Sequence, residues 1–251
     1  MFDLSLIGIG TGNPDHITGQ GARAISDADL ILIPRKGADK ADLAELREKI
    51  IARVCAETPP RIAYFDIPRR RDQNGYLKGV DDWHDAIAQR WQATIAAADP
   101  APRTVALLIW GDPSLYDSSL RIMARLSPRP AVRVIPGITA LQALTAAHAI
   151  PINEIGAPFT VTTGRRLREQ GWPDGTDTLA VMLDGDCAFQ GLNGVDFDIW
   201  WGAYLGMAEE CLVSGPLDKA GPDILATRAR ARARHGWIMD VYLLKKRPET
   251  I

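Results

Sequence analysis

Cysteine is scarce in this chain: three residues in 251, Cys55, Cys187 and Cys211, widely spaced and odd in number. That excludes a disulfide framework and a paired-cysteine zinc pattern, and points to buried thiols in a reducing compartment. Histidine is as sparse, with four in all, and nothing has metal-ligand spacing, so no metal is expected. No apolar run reaches the length of a membrane span. Met1-Phe2-Asp3-Leu4 lacks the basic and apolar regions of a secretory leader, so the reading is of a cytoplasmic protein with no membrane partner. An excess of one charge is missing too: 29 Lys and Arg against 31 Asp and Glu leave a net charge of −2. That removes any global electrostatic argument for nucleic acid. Internal repeats and low-complexity segments are absent.

What is present is ordinary globular material, 46% hydrophobic and 24% charged, with room for two modest domains. Its organising stretch runs from Val105 through Trp110-Gly111-Asp112-Pro113 to Ser119. Val105 to Ile109 reads as a buried strand. Gly111 and Pro113 end it, and Asp117 or Ser118 can cap a helix carrying Leu120, Met123 and Leu126. Ligands of open α/β sheets bind outside the carboxyl ends of strands, where this loop falls.

The same grammar precedes and follows it. Leu4 to Ile9 is a strand running into Gly8-Ile9-Gly10-Thr11-Gly12-Asn13-Pro14-Asp15-His16, with a short helix from Thr18 to Asp27. Asn13-Pro14 and the missing late acidic residue count against a nicotinamide fingerprint. Leu30 to Ile33 is a strand stopped by Pro34. Asp39 to Ala56 is a helix with Leu43, Leu46, Ile50 and Val54 on one face. Arg61 to Ile67 is the third strand. Arg69-Arg70-Arg71 lies on the polar loop after it, either a solvated basic turn or a clamp for a polyanion. Asp81-Asp82-Trp83-His84 opens a long helix whose Trp83, Ile87 and Trp91 pack in the core, with His84 at the surface or as a cap. Val132 to Ile135 is the fifth strand, and Thr139 can cap the helix Ala140 to Ala147, whose N–H groups suit a carboxylate. His148, at its end, reads as a cap.

Beyond this point the pattern becomes strand-rich. Phe159–Thr162, Thr178–Leu183, Ile199–Tyr204, Glu210–Ser214 and Trp237–Leu244 read as strands, mostly antiparallel. Pro222 to Arg232 is the convincing helix, and the Ala/Arg run from Ala226 to Arg234 reads as a solvated basic face. The expected fold class is therefore α/β with two domains. An N-terminal, mostly parallel α/β domain covers 1–137, a mixed α+β domain covers 138–251, and a ligand cleft is expected between them.

Four motifs stand in order at strand ends: Ile7-Gly8-Ile9-Gly10-Thr11-Gly12-Asn13-Pro14, Trp110-Gly111-Asp112-Pro113, Pro136-Gly137-Ile138-Thr139-Ala140 and Met182-Leu183. In this the chain resembles the tetrapyrrole (cobalamin/precorrin) methyltransferases over nearly its whole length. Longer blocks resemble the deacetylating branch of that family: Thr162-Thr163-Gly164-Arg165-Arg166-Leu167, Val181-Met182-Leu183-Asp184-Gly185, Trp201-Gly202-Ala203-Tyr204-Leu205-Gly206 and Arg234-His235-Gly236-Trp237-Ile238-Met239-Asp240. Trp110 departs from the family, which commonly has a small residue before Gly-Asp.

The resemblance implies S-adenosyl-L-methionine as methyl donor and S-adenosyl-L-homocysteine as product. It implies methylation of precorrin-5 at ring carbon 1 with loss of the acetyl group as acetate, giving precorrin-6A, and a homodimer. A same-fold methyltransferase acting on another precorrin carbon is the alternative. By the resemblance Gly111, Asp112, Tyr116, Thr139, Ala140, Leu183, Ala203, Tyr204 and Gly236 contact the cofactor. Substrate carboxylates seek Arg69, Arg70, Arg71, Arg165 or Arg166. Methyl transfer from a sulfonium rests on positioning, whereas hydrolysis of the acetyl group needs a base and an oxyanion partner. Candidates for that chemistry are Asp15, His16, Tyr116 and Asp117, with helix capping as the competing role for Asp15 and Asp117.

Overall fold

A computed structural model describes residues 2–35, 41–55, 57–70 and 76–248. The chain divides into two compact units, Met1–Thr139 and Ala140–Ile251.

The first unit is a parallel five-stranded sheet. Its strands are β1 (Asp3–Gly8), β2 (Leu30–Arg35), β3 (Arg61–Asp66), β4 (Thr104–Ile109) and β5 (Ala131–Ile135), in the order β3-β2-β4-β1-β5. Its helices are α1 (Gly19–Ser26), α2 (Ala41–Val54), α3 (Tyr76–Ala96) and α4 (Ser119–Met123). The apolar runs are continuous because both faces of the sheet are covered. Leu4, Leu6, Leu30, Leu32, Val105 and Leu107 meet Ile87, Trp91 and Ile95 of α3 and Ile122 and Met123 of α4. The alternate residues Ile7, Ile31, Ile33, Ala106 and Leu108 meet Ala24 and Ile25 of α1 and Ile50 and Ile51 of α2. Each of the Leu, Ile, Val and Met side chains among these, fully buried, contributes about 1.5–3 kcal/mol.

Pro34 does not stop β2; it lies inside the strand, opposite Phe65 of β3. Pairing of β2 with β4 ends at Leu32 and Leu107, so the missing N–H of Pro34 breaks no ladder on that side. Ile109 O accepts from Ile9 N, on the β1 side. By the alternation of a parallel strand, Leu108 O faces β2, and Arg47 of α2 fills that vacancy with its Nε at 3.0 Å.

The long helix α3 begins at Tyr76 rather than at Asp81, since Tyr76 to Val80 has no residue that breaks a helix except Gly79. His84 therefore falls in its interior and is buried, 3% exposed, not at the surface or at a cap. Its Nε2 and the Nε1 of Trp91 are buried without hydrogen-bond partners.

The second unit is a mixed sheet in the order β6-β7-β10-β8-β9, built from β6 (Thr160–Thr163), β7 (Thr178–Met182), β8 (Phe197–Ala203), β9 (Cys211–Pro216) and β10 (Asp240–Lys246). The β6/β7 pair is parallel and the other pairs are antiparallel. Its helices are α5 (Ala140–His148), α6 (Gly164–Gln170) and α7 (Leu217–His235). The core is one cluster around Phe189, Trp201, Tyr204, Ile224 and Tyr242.

Four points of the sequence reading are corrected. The helix expected over Pro222–Arg232 runs from Leu217 to His235 and carries Pro222 inside it. Alpha-helix α6 was hidden by its short length; Thr163 Oγ1 caps it by accepting from Arg166 N. His148 reaches across to β8, its Nε2 donating to Trp201 O at 3.0 Å, and is no helix cap. The Ala/Arg run is not wholly a solvated face: Ala231 is buried in the core, and the Arg228 side chain is 12% exposed and paired with Asp240.

Candidate active site

In the order β3-β2-β4-β1-β5 the chain leaves β1 toward one edge of the sheet and leaves β4 toward the other. The carboxyl ends of β1, β4 and β5 thus lie at a topological switch point, the usual place for a ligand. Here the backbone is knotted tightly. Gly10 and Gly111 bridge each other, Gly111 N donating to Gly10 O at 2.8 Å. A Cβ on Gly137 would stand 2.2 Å from Gly111 O and 2.7 Å from the carbonyl carbon of Gly8. Only glycine lets these three strand ends close on one another.

Asp112 ties the knot. Its Oδ1 accepts from Ser114 N at 2.8 Å and Ser114 Oγ at 2.5 Å, and its Oδ2 accepts from Gly137 N at 2.9 Å. Burial alone would raise its carboxyl. The bonds from Ser114 and Gly137 outweigh burial and hold it below the usual carboxylate range. A carboxylate offers about four acceptor positions, so Asp112 keeps capacity for one further donor.

The other candidate residues of the first unit differ in burial and bonding. Thr11 Oγ1 and His16 Nδ1 are hydrogen-bonded at 3.1 Å, which fixes the ring; its Nε2 has no partner among the described residues. Asp15 is far out in solvent, its side chain 79% exposed and 4.0 Å from Arg53. Tyr116 is half exposed and sits at φ 50. Asp117 Oδ1 accepts from Ser119 N at 2.6 Å, an Asx turn leading into α4, whose N-cap residue is Ser118. Arg47, which sequence reading missed, donates to Leu108 O and Leu43 O. Burial pushes its guanidinium down to about 10, against the opposing charge of Asp117. Its only signal in the sequence was its spacing, which puts a cation on the same helix face as Leu43, Leu46, Ile50 and Val54. Arg69 and Arg70 are exposed on the loop after β3; Arg71 lies outside the described residues. Thr139 ends this unit.

In the second unit, α5 starts at Ala140, directly after Thr139. Leu183, directly after β7, is 65% exposed at φ 53, an apolar side chain on backbone that L-residues rarely adopt. Ala203 ends β8 and Tyr204 follows it; both are buried, with Tyr204 at φ 52. Tyr204 N donates to Met239 O at 3.1 Å and its hydroxyl to Trp237 O. Its side chain is therefore committed, and a ligand beside it would meet backbone. Gly236 follows α7 at φ 73 with open space where a Cβ would be. Arg165 and Arg166 are exposed on α6, Arg166 donating to Gln170 Oε1 at 3.2 Å. Among the described residues no group of three His, Cys, Asp or Glu is placed to hold a metal, and no helix is long and apolar enough to cross a membrane.

Within the first unit, the remaining acceptor position of Asp112 suits an amine or hydroxyl; within the second, the exposed Leu183 suits a flat apolar ring. Strained backbone at Tyr116, Leu183 and Tyr204 is of the kind retained at ligand sites.

A parallel unit with a glycine knot at its switch point, followed by a mixed second unit, is the architecture of one methyltransferase family. The chain matches the model of the Tetrapyrrole (Corrin/Porphyrin) Methylases over residues 3–221 and belongs to that family, whose methyl donor is S-adenosylmethionine. It is 47% identical to the precorrin-6A synthase [deacetylating] of Sinorhizobium sp, across 98% of this chain and 96% of that protein. The precorrin-2 C(20)-methyltransferase of the same source is 30% identical across 71% of each. A solved structure, a cobalamin synthesis related protein (CobF) from Corynebacterium diphtheriae, superposes with a TM-score of 0.82 at 36% identity, covering 98% of this chain and 99% of that one.

Proposed function

We propose that this chain methylates precorrin-5 at ring carbon 1 with S-adenosylmethionine and releases the acetyl group as acetate, giving precorrin-6A. The observation that carries the reading is 47% identity to a deacetylating precorrin-6A synthase over nearly the full length of both chains. The weaker likeness to a C(20)-methyltransferase, 30% over 71% of the chain, supports the family more than the alternative ring carbon.

When bound, S-adenosylmethionine supplies a methyl group on a sulfonium, whose leaving group needs no protonation. The chain's residues then have to bind and orient. In the first unit Gly111, Asp112, Tyr116 and Thr139 serve the cofactor, with Asp112 using the acceptor position that Ser114 and Gly137 leave open. In the second unit Ala140, Leu183, Ala203, Tyr204 and Gly236 serve it, Ala203 and Tyr204 through backbone. Arg69, Arg70, Arg71, Arg165 and Arg166 offer guanidinium groups to the substrate carboxylates.

Deacetylation asks for more. Water adds to the acetyl carbonyl carbon, the bond to ring carbon 1 breaks, its electron pair stays on the ring, and acetate leaves. A base must take the proton of that water. His16 is the best placed of the four candidates, since Thr11 holds one ring nitrogen and leaves the other for the substrate. Asp117 is occupied by the N–H of Ser119, and Asp15 is widely solvated.

The reading also carries a homodimer, a cytoplasmic location and a division of the chain at residues 137 and 138; light scattering tests the first. The function is tested by incubating the purified chain with precorrin-5 and S-adenosylmethionine and following product mass and acetate together. Gain of a methyl with loss of the acetyl, and one acetate per turnover, is expected. A methylated product that keeps its acetyl group would transfer the protein to another ring carbon. Binding of NADH and not of S-adenosylhomocysteine in calorimetry would remove it from methyl transfer.

A further inference from the structure

The second unit contains a buried ion pair that the reaction as described does not use. Arg228 of α7 donates from Nε to Asp240 Oδ2 at 2.9 Å, with side chains 12% and 8% exposed. Its NH2 donates to Asp184 O at 3.1 Å. Asp240 Oδ2 also accepts from Trp201 Nε1 at 3.0 Å. Asp184 is itself buried, accepting from Ala188 N at 2.6 Å, Asp186 N at 3.1 Å and Tyr242 Oη at 2.6 Å.

The partners of this pair are the neighbours of the strained segments. Asp184 follows Leu183 at φ 53. Asp240 is opposite Ala203 in the β10/β8 register, and Ala203 precedes Tyr204 at φ 52. Arg228 lies two turns before the end of α7, where Gly236 stands at φ 73. Trp201 O takes the bond from His148, the last residue of α5. One guanidinium–carboxylate pair thus stands directly behind two second-unit segments assigned to the cofactor, Leu183–Asp184 and Ala203–Tyr204. Buried ion pairs add little net stability, because desolvation offsets the attraction, and an apolar pair of like size often serves the fold as well. Holding left-handed backbone at two non-glycine residues is a task for directed bonds, which packing alone does not supply.

We propose that Arg228 and Asp240 are positioning residues for the methyl donor, acting through the Leu183–Asp184 turn and the Ala203–Tyr204 turn without touching the ligand. This deepens the functional reading above and rests on it.

The test compares wild type with Arg228→Met, Arg228→Lys and Asp240→Asn. Affinity for S-adenosylhomocysteine is measured by calorimetry, thermal stability by melting, and amide hydrogen exchange without ligand. Arg228→Met is expected to weaken S-adenosylhomocysteine binding by about tenfold to a hundredfold, the range that misplaced binding groups produce. Faster exchange should be confined to residues 183–188 and 203–206. Arg228→Lys, a point charge that cannot serve Asp240 and Asp184 O together, should restore melting and only part of the affinity. The KM for S-adenosylmethionine should rise while that for the tetrapyrrole stays. Affinities within about twofold of wild type in the folded variants would overturn the proposal. So would exchange that quickens evenly over the unit, or an affinity loss accounted for by the unfolded fraction. If Arg228→Met does not fold, Asp240→Asn and Arg228→Lys decide the matter by the same readings. A wild type that does not bind S-adenosylhomocysteine overturns the functional reading instead, and the exchange experiment still judges whether the pair holds the turns.

Discussion

The Oδ2 of Asp112 accepts a hydrogen bond from the N–H of Gly137 at 2.9 Å. One loop carboxylate thereby joins the end of β4 to the end of β5, across the strand that lies between them. The bond makes Asp112 part of the scaffold of the switch point as well as a candidate ligand group. Asp112→Asn keeps the shape but replaces one acceptor oxygen by a donor, so either Ser114 or Gly137 loses its partner. A charge-assisted bond of this kind is worth about 1.5–3 kcal/mol, and S-adenosylhomocysteine affinity should fall correspondingly. Calorimetry checks this; unchanged affinity would take Asp112 and its knot out of the site.

Gly137 offers a stability test that is independent of any ligand. A methyl there would stand 2.2 Å from Gly111 O, which is backbone and cannot rotate away. Gly137→Ala should cost about 1–3 kcal/mol, the usual penalty of overpacking, seen as a lower urea midpoint. An unshifted midpoint would mean that the strand ends are looser than described.

His84 predicts a pH dependence of stability. Burial, and then the charges of Arg125 and Arg121, depress its pKa below the ordinary 6.5, while Asp81 and Asp85 oppose them. The fold therefore favours the neutral ring. Its contribution is complete above pH 6.5 and is lost as pH falls through the lower folded value, with a slope of at most about 1.4 kcal/mol per pH unit. His84→Leu removes both the titration and the unpartnered Nε2. Urea midpoints of wild type and variant should run parallel above that pH and diverge below it; parallel curves throughout would refute the assignment.

Arg69, Arg70 and Arg71 are expected to serve the macrocycle and not the methyl donor. Substituting all three by alanine should raise the KM for the tetrapyrrole, by an amount set by how many carboxylates they meet, and leave S-adenosylhomocysteine affinity as it was. Steady-state kinetics beside calorimetry reads both. Turnover like wild type would make the run a solvated loop.

Acetyl hydrolysis and methyl transfer should separate at His16. With Nδ1 engaged by Thr11, the ring can work through Nε2. His16→Ala should slow acetate release by on the order of a hundredfold or more while cofactor binding persists. Following acetate and methylated product separately in a single turnover tests it. Near-wild-type rates for both would exclude His16 and turn attention to Asp15, Tyr116 and Asp117.

Much of the architecture was legible in the sequence because it is local. Apolar runs such as Leu30–Leu32 and Ala106–Leu108 are strands covered on both faces, and Gly-Asp-Pro and Pro-Gly mark where they stop. Four motifs in order, three of them bearing glycine and proline, also carried the family. What the sequence could not determine is which of these residues is already occupied. Asp112 and Tyr204 read as free ligand groups, yet hydrogen bonds to Gly137 and Trp237 engage them. Pro34 read as a stop, but the sheet had already parted from it on one side. Arg228 read as one member of a solvated Ala/Arg run, and only packing of α7 against β8 and β9 brought it to Asp240. Spacing along a chain sets which residues share a strand or a helix face. Which donor meets which acceptor is decided between segments far apart in sequence, where burial makes an unpaired polar group costly and so forces the pairing.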